Sequence, residues 1–461
     1  MKKALASFLF LKLCAVVLAA DLVNLDKLRL AASQNLAYLP GELVLTLPDR
    51  LCEEASKYLD SDFTLNAQVS SVLLEYFPQN ARLQRILRQE LKAAGRTGEC
   101  AYTVTYSDFT SLSTQFLVQE HGEFLELQNR LAQHRMAARR QWLIAPPYPA
   151  PQTVEISHAN QQYVQYQVEA MRVRLVHEQG IVGGPDVPIA FIGTGIDRTH
   201  PDLAHNLFES EKFIGQDDRD NIGHETFGAG LACGKGRITG MALSCHIISL
   251  KAIERVWVLG EQFDYGTAGS ILASLLHLLN NYDRFLIVVM SLSVPEDFPE
   301  IAAALAAMEQ RFLVFAASGN YGWLQATYPG LYSLSLSNMV TMASVNRDMI
   351  MSRFSNIGRG VTLATYGEDI ISTFPDGKYA VGSGTSVANH LEAGLAVLAG
   401  VAAKRKGWAL TPQYLKWTLL RSAYLDDRHA PFFYLLIQND AVAAINAALN
   451  PPLPPRRRGL R

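Results

Sequence analysis

After its first twenty residues the chain has no stretch long and apolar enough to span a bilayer. The runs at 286–294, 302–307 and 395–403 are core-length. It also has no internal repeat and no Asn-x-Ser/Thr sequon, so N-glycosylation gives no support for secretion. Neither sign of charge prevails. Lys and Arg number 41 against 43 Asp and Glu, a formal net charge of −2, which argues against nucleic acid or an anionic membrane as the main partner. Cysteine is sparse, at five in 461 residues. Cys14 would leave with an N-terminal signal. The other four could pair as Cys52–Cys100 and Cys233–Cys245, which suits an oxidising compartment. Four cysteines allow three connectivities, however, and buried free thiols remain the alternative.

What is present fits a globular protein of one large domain with appendages, or of two or three domains. Hydrophobic residues make up 49% and charged residues 18%. Residues 1–20 read as a secretory signal. Lys2 and Lys3 precede an apolar stretch, broken once by Lys12, and Val17-Leu18-Ala19 offers small residues before a cut. The expected location is therefore outside the cell or in the secretory-pathway lumen.

Residues 21–145 carry helical patterns at 80–92 and 123–137 around strand-like runs at 42–47 and 101–106. A basic cluster ending in Arg139-Arg140 precedes a proline-rich stretch at 145–151, stiff and extended, which marks a domain boundary. From residue 187 the texture changes. Apolar runs bounded by glycine predict strands at 188–193, 246–253, 285–291, 312–317 and 339–344. Between them helices are predicted at 266–279, 300–310, 386–404 and 412–421. Such alternation argues for an α/β fold with a mainly parallel sheet buried on both faces, its ligands at the carboxyl ends of the strands. Residues 446–461, rich in Pro and Arg, read as a disordered tail.

Four glycine-marked motifs follow in order. The first is Ile192-Gly-Thr-Gly-Ile-Asp197, closing the first of these strands and followed by His200-Pro-Asp-Leu203. The second is Gly223-His-Glu-Thr-Phe-Gly-Ala-Gly230. The third is Ala317-Ser-Gly-Asn-Tyr-Gly322, and the fourth Gly384-Thr-Ser-Val-Ala-Asn-His-Leu-Glu-Ala-Gly394. Taken singly they have ordinary explanations. Ser386 could merely cap its helix, His224 could be a polar residue at a helix start, and Asn320 could be a turn asparagine. Gly193-Thr-Gly195 after a strand also suggests a dinucleotide fingerprint, but Arg198 stands at its third glycine position and excludes it.

Together the motifs resemble the subtilase family of serine proteases over about residues 160–425, and a prodomain more weakly before that. The second matches the family's Gly-His-Gly-Thr-His-Val-Ala-Gly. The resemblance implies a three-layer subtilisin-like fold over residues 160–445, preceded by a small α+β inhibitory prodomain at 21–145. It implies a serine endopeptidase acting on a polypeptide or peptide-like partner, with the prodomain as intramolecular inhibitor. On this pattern Ser386 is the nucleophile, His224 its base and Asn320 the oxyanion donor, while Ser291, Leu292 and Ser293 line the substrate cleft. No cofactor is expected. Calcium occurs in the family, but no dense ligand run appears here, and 216–220 reads as a solvated loop.

The sequence departs from the pattern at the acid, because Gly193 stands where the family has aspartate. That acid fixes the tautomer of the histidine, and its loss costs about 10⁴-fold in turnover. Asp197 and Asp202 are too far along the turn to substitute. Glu225, in place of the glycine after the histidine, is a candidate. Phe227, Ser293, Asn389, His390 and Glu392 also differ from the pattern. The expectation is therefore a catalytically impaired homologue, a pseudoprotease binding peptides through the old cleft. The alternative is a weakly active enzyme rescued by Glu225, by water or by the substrate. An impaired enzyme could not cut itself free, so Arg139-Arg140 is expected to be a site for a dibasic-specific protease.

Overall fold

The structure, a computed structural model, describes residues 165–258, 261–293, 296–426 and 435–450. Before them it describes the segments 38–48, 63–64, 82–86, 99–105, 114–133, 137–144 and 152–154. The expected signal at 1–20 and Cys52 lie outside the described residues. The chain divides into two compact units. One joins Met1–Leu143 to Arg255–Leu276, and the other joins Ile144–Glu254 to His277–Arg461.

In the first unit the described elements are β1 (Tyr38–Pro48), β2 (Phe63–Thr64), β3 (Arg82–Ile86), β4 (Glu99–Thr105), α1 (Thr114–Gln133) and β5 (Ala137–Ile144). Phe124, Leu127 and Leu131, spaced at i, i+3 and i+7, form the buried face of α1, and Leu45 and Leu47 of β1 are buried too. The helix expected over 80–92 is corrected. Residues 82–86 are a strand, held by antiparallel pairing with β4 from Arg82↔Thr105 to Ile86↔Ala101, so sheet pairing overrides a helical pattern of charges. Arg139 and Arg140 lie inside β5, opposite Val44 and Leu43 of β1. Cleavage between them would require that strand to leave its sheet.

The second unit contributes β6 (Gln152–Val154), α2 (Tyr166–Ala170), α3 (Val173–Glu178), β7 (Ile189–Gly193), β8 (Leu207–Lys212), α4 (His224–Cys233) and β9 (His246–Lys251). The hairpin β10 (Ile253–Val258) and β11 (Glu261–Thr267) then runs into the first unit's seven-stranded sheet, ordered β10-β11-β5-β1-β4-β3-β2. Helix α5 (Ala268–Asn281) follows. Next come β12 (Leu286–Met290), α6 (Pro299–Ala307), β13 (Phe312–Ala317), β14 (Met339–Val345), β15 (Leu363–Tyr366), β16 (Ile370–Phe374) and β17 (Lys378–Gly382). The last are α7 (Thr385–Arg405), α8 (Pro412–Ser422), β18 (Tyr424–Asp426), β19 (Leu435–Ile437) and α9 (Ala441–Leu449). Helix α9 thus includes residues 446–449, which the sequence assigned to the tail.

The second unit is built on a nine-stranded sheet, β18-β19-β15-β14-β13-β12-β7-β9-β8. It is parallel throughout except for β18 against β19. Strands β7, β9, β12, β13 and β14 are buried at every residue, as expected of a parallel sheet covered on both faces by helices. A mostly parallel α/β fold of the subtilisin kind is therefore what the chain adopts. Helix α7 has 21 residues and is apolar enough, by length and composition, to cross a membrane. That goes beyond the core-length run seen in the sequence, and its apolar window is entirely buried in the core. Cys233 and Cys245 form a disulfide across 12 residues.

Candidate active site

The order of the sheet reverses between β7 and β12, which pair in parallel from Ile189↔Ile287 to Phe191↔Val289. At such a switch the loops after neighbouring strands diverge and leave a crevice at the carboxyl ends. Gly193 ends β7 there, and Ser291 follows β12. Helix α4 begins beside them. Asp220 caps its start, accepting from the amides of Ile222, Gly223 and Thr226 and from the Thr226 hydroxyl. Burial pushes the Asp220 carboxyl up while those four donors pull it down. So 216–220 is not wholly the solvated loop expected from sequence, because its last residue is a buried cap. The Glu225 amide donates to Thr194 Oγ1 at 3.0 Å, tying the first turn of α4 to the end of β7.

This geometry corrects the expectation of a histidine without an acid. His224 Nδ1 lies 2.8 Å from Oε1 of Glu225, and both side chains are buried. A Cβ added at Gly193 would fall 2.2 Å from that same Oε1 and 2.6 Å from the Glu225 Cγ and Cδ. The carboxylate delivered by α4 therefore fills the space that a side chain on β7 would need. Gly193 is the room for an acid, and the pseudoprotease reading that rested on it falls. Burial alone would push the Glu225 carboxyl up. Attraction to His224 and His390 and hydrogen bonds from both outweigh it, bringing the group down to about 2. As an ionised carboxylate it can only accept, so His224 donates through Nδ1. Asp197 and Asp202 are engaged elsewhere, with Thr199 and Asp376 and with Ile238 respectively.

The second oxygen of Glu225 is also taken. Oε2 lies 2.8 Å from Nε2 of His390, and Nδ1 of His390 lies 2.7 Å from the carbonyl oxygen of Ser386. Ser291 Oγ is 3.5 Å from that Nδ1 and accepts from the Asn389 amide at 3.0 Å. The Ser386 carbonyl is the nearer partner of Nδ1, so Ser291 extends the network at its edge. One ligand atom each from His224, Glu225 and His390 lies within 4.8 Å of the others, a spacing that could hold a metal ion. These side chains already hydrogen-bond one another, which makes the group a proton-linked chain rather than a set of waiting ligands.

Helix α7 starts at the third motif's turn. Asn320 Oδ1 accepts from the amide of Thr385 at 2.9 Å and from its hydroxyl at 2.8 Å. Both partners donate, which fixes the orientation of the amide and turns Nδ2 the other way. That nitrogen and Ser386 Oγ border one small space. A Cβ built at Gly384 would stand 3.0 Å from the hydroxyl and 3.3 Å from the amide nitrogen. Of the residues read as cleft-lining, Ser291 and Leu292 have buried side chains and can offer a peptide only their backbone. Ser293 hydrogen-bonds Thr327 Oγ1 at 3.1 Å.

The subtilase profile matches residues 184–448. The chain belongs to the subtilase family. Among curated relatives, the intracellular serine protease of Paenibacillus polymyxa is 32% identical over 231 residues, covering 47% of this chain and 67% of that protein. Subtilisin NAT of Bacillus subtilis subsp. natto is 27% identical over 260 residues, 55% of this chain and 65% of that protein. The M-protease of Shouchella clausii is 30% identical over 254 residues, 54% of this chain and 62% of that protein. The chain thus spans about two thirds of the length of these relatives.

Two participants in this subtilase's site escaped the sequence. His390 registered only as a departure from the fourth motif, and Gly228 not at all, although the second motif has valine there. A Cβ at Gly228 would fall 2.2 Å from the His390 ring. The available signal was volume, since side chains shrink at 193 and 228 and grow at 225 and 390.

Proposed function

We propose that this subtilase is a serine endopeptidase whose acid has moved from the strand to the helix. Ser386 attacks the scissile carbonyl of a polypeptide as His224 takes its proton. Glu225 holds His224 in the tautomer that presents Nε2, and it stabilises the imidazolium that forms. Asn320 Nδ2 donates to the tetrahedral oxyanion, a contact worth roughly 3–4 kcal/mol, a magnitude measured in subtilisin itself. The positive end of the α7 dipole favours the same developing charge. The observation that carries this reading is the 2.8 Å pairing of His224 Nδ1 with Glu225 in the space above Gly193. Ser291, Leu292 and Ser293 flank the substrate on the strand side.

Residues 21–145 serve in this reading as an inhibitory prodomain, and residues 160–445 as the catalytic domain. Secretion is supported by the signal-like residues 1–20 and by the Cys233–Cys245 disulfide, a bond that persists in oxidising compartments. Cleavage at Arg139-Arg140 loses its rationale once an acid is present. The test is labelling of the unmodified chain with a fluorophosphonate. Labelling that vanishes in Ser386→Ala and falls sharply in Glu225→Gln is expected, and an unlabelled chain would refute the proposal.

A further inference from the structure

Glu225 is 1% exposed, and a carboxyl so placed favours its neutral acid unless charge compensates it. His224 engages one oxygen only, and it must be free to gain and lose a proton during turnover. The compensation has to come from elsewhere. His390, 1% exposed on the second turn of α7, sits on the other oxygen. Its two ring nitrogens face two acceptors, the Ser386 carbonyl at 2.7 Å and the Glu225 carboxylate at 2.8 Å. Beside the ionised Glu225 carboxylate, a neutral ring would leave one of these approaches without a proton between the two atoms.

We propose that His390 is a positioning residue of the catalytic apparatus. As the doubly protonated imidazolium it fixes Glu225 against His224 and ties that acid to the backbone of the nucleophile Ser386. This rests on the endopeptidase reading above. The cation on Oε2 keeps the carboxylate ionised and in plane, leaving Oε1 for His224. Through Nδ1 the same ring reaches the Ser386 carbonyl, so acid and nucleophile are joined by two hydrogen bonds across helices α4 and α7. The ring is further held by stacking on Phe191, with centroids 5.8 Å apart and planes 18° apart. Gly228 provides its place, since any larger residue there would strike the imidazole. Gly193, Glu225, Gly228 and His390 are thus one linked exchange, with two glycines opening the space that a glutamate and a histidine occupy.

The first test is histidine-ring ¹⁵N NMR of the full unmodified chain near pH 7. Two protonated nitrogens on His390 are expected, and an unprotonated nitrogen on that ring overturns the proposal. This readout stands whether or not a variant folds. The second compares His390→Gln in the unmodified chain and in Gly193→Asp/Glu225→Gly, where the acid returns to the strand. The glutamine keeps a donor but cannot carry charge. In the unmodified chain kcat should fall on the order of 10- to 100-fold, with KM within about twofold. In the exchanged background the same substitution should cost less than about threefold. Equal losses in both backgrounds, or a loss confined to KM, would make His390 mere packing and overturn the proposal. Failure of the endopeptidase reading shows separately, as absent fluorophosphonate labelling of the unmodified chain. The ring spectrum would then still decide whether His390 carries both protons.

Discussion

Two of the glutamates buried in the second unit, Glu225 and Glu392, stand where the family motifs carry something smaller or apolar. Glu225 has a histidine on each oxygen and is held down to about 2. Glu392, one residue past the histidine's neighbour on α7, is fully buried, and neither oxygen has a hydrogen-bonding partner. Burial alone raises its carboxyl well above the usual range. Equal burial thus leaves the two carboxyls shifted in opposite directions, and the difference lies in whether cationic partners come with the carboxyl. A buried acid becomes a usable anion only when the fold supplies its counter-charges. Where it supplies none, the same residue type behaves as an awkward apolar one.

The sharpest way to break this comparison is to neutralise each glutamate without changing its shape. Glu225→Gln should lower kcat by roughly 10⁴-fold, the cost of misplacing the tautomer. Glu392→Gln should leave turnover within about threefold, and steady-state kinetics on a peptide substrate checks both. Next in size is Gly193→Asp. On the sequence alone this change would restore a missing acid. In the structure its Cβ would strike Glu225. Activity should fall on the order of 100-fold, about 2.7 kcal/mol at 1.36 per decade. Adding Glu225→Gly should recover most of the loss, and a gain from Gly193→Asp alone would sink the account of the site.

Smaller effects separate the two carboxyls by pH. The folded pKa of Glu225 lies below its unfolded value. Its contribution to stability is present above about 4.5 and is lost as pH falls towards about 2. Glu392 runs the other way. Its contribution is fully present below its unfolded pKa and is lost as pH rises through the raised folded value, at about 1.4 kcal/mol per pH unit. Denaturant midpoints measured from pH 3 to 8 should therefore flatten on the acid side in Glu225→Gln and on the neutral side in Glu392→Gln. Smallest is Glu392→Leu at neutral pH, which removes an unpartnered buried acid. Calorimetry should show Tm higher by about 2–6 °C.

Much of the fold was legible because parallel strands covered on both faces must be continuously apolar. The predicted strands at 188–193, 312–317 and 339–344 meet β7, β13 and β14 within a residue or so. The strand at 82–86 was not legible, because only its partner β4 makes those charged residues extended. At the candidate site, the motifs single out Ser386, His224 and Asn320, the residues on which the proposed function draws. The role of Glu225 could not be read with assurance, since neighbouring residues on a helix point about 100° apart. What turns the two side chains together is the emptiness at Gly193, and that lies 32 positions upstream. The pairing with His390 spans 165 positions and depends on how α4 and α7 meet.

The boundary between the two units is crossed by the backbone three times, after Leu143, after Glu254 and after Leu276. One cut near residue 144 would sever only the first crossing. The N-terminal piece would still be zipped by β5 to β11, whose hairpin remains covalently part of the other fragment. Processing at that junction would therefore yield a nicked, two-chain molecule, and shedding the N-terminal piece would need a second event that unzips the sheet.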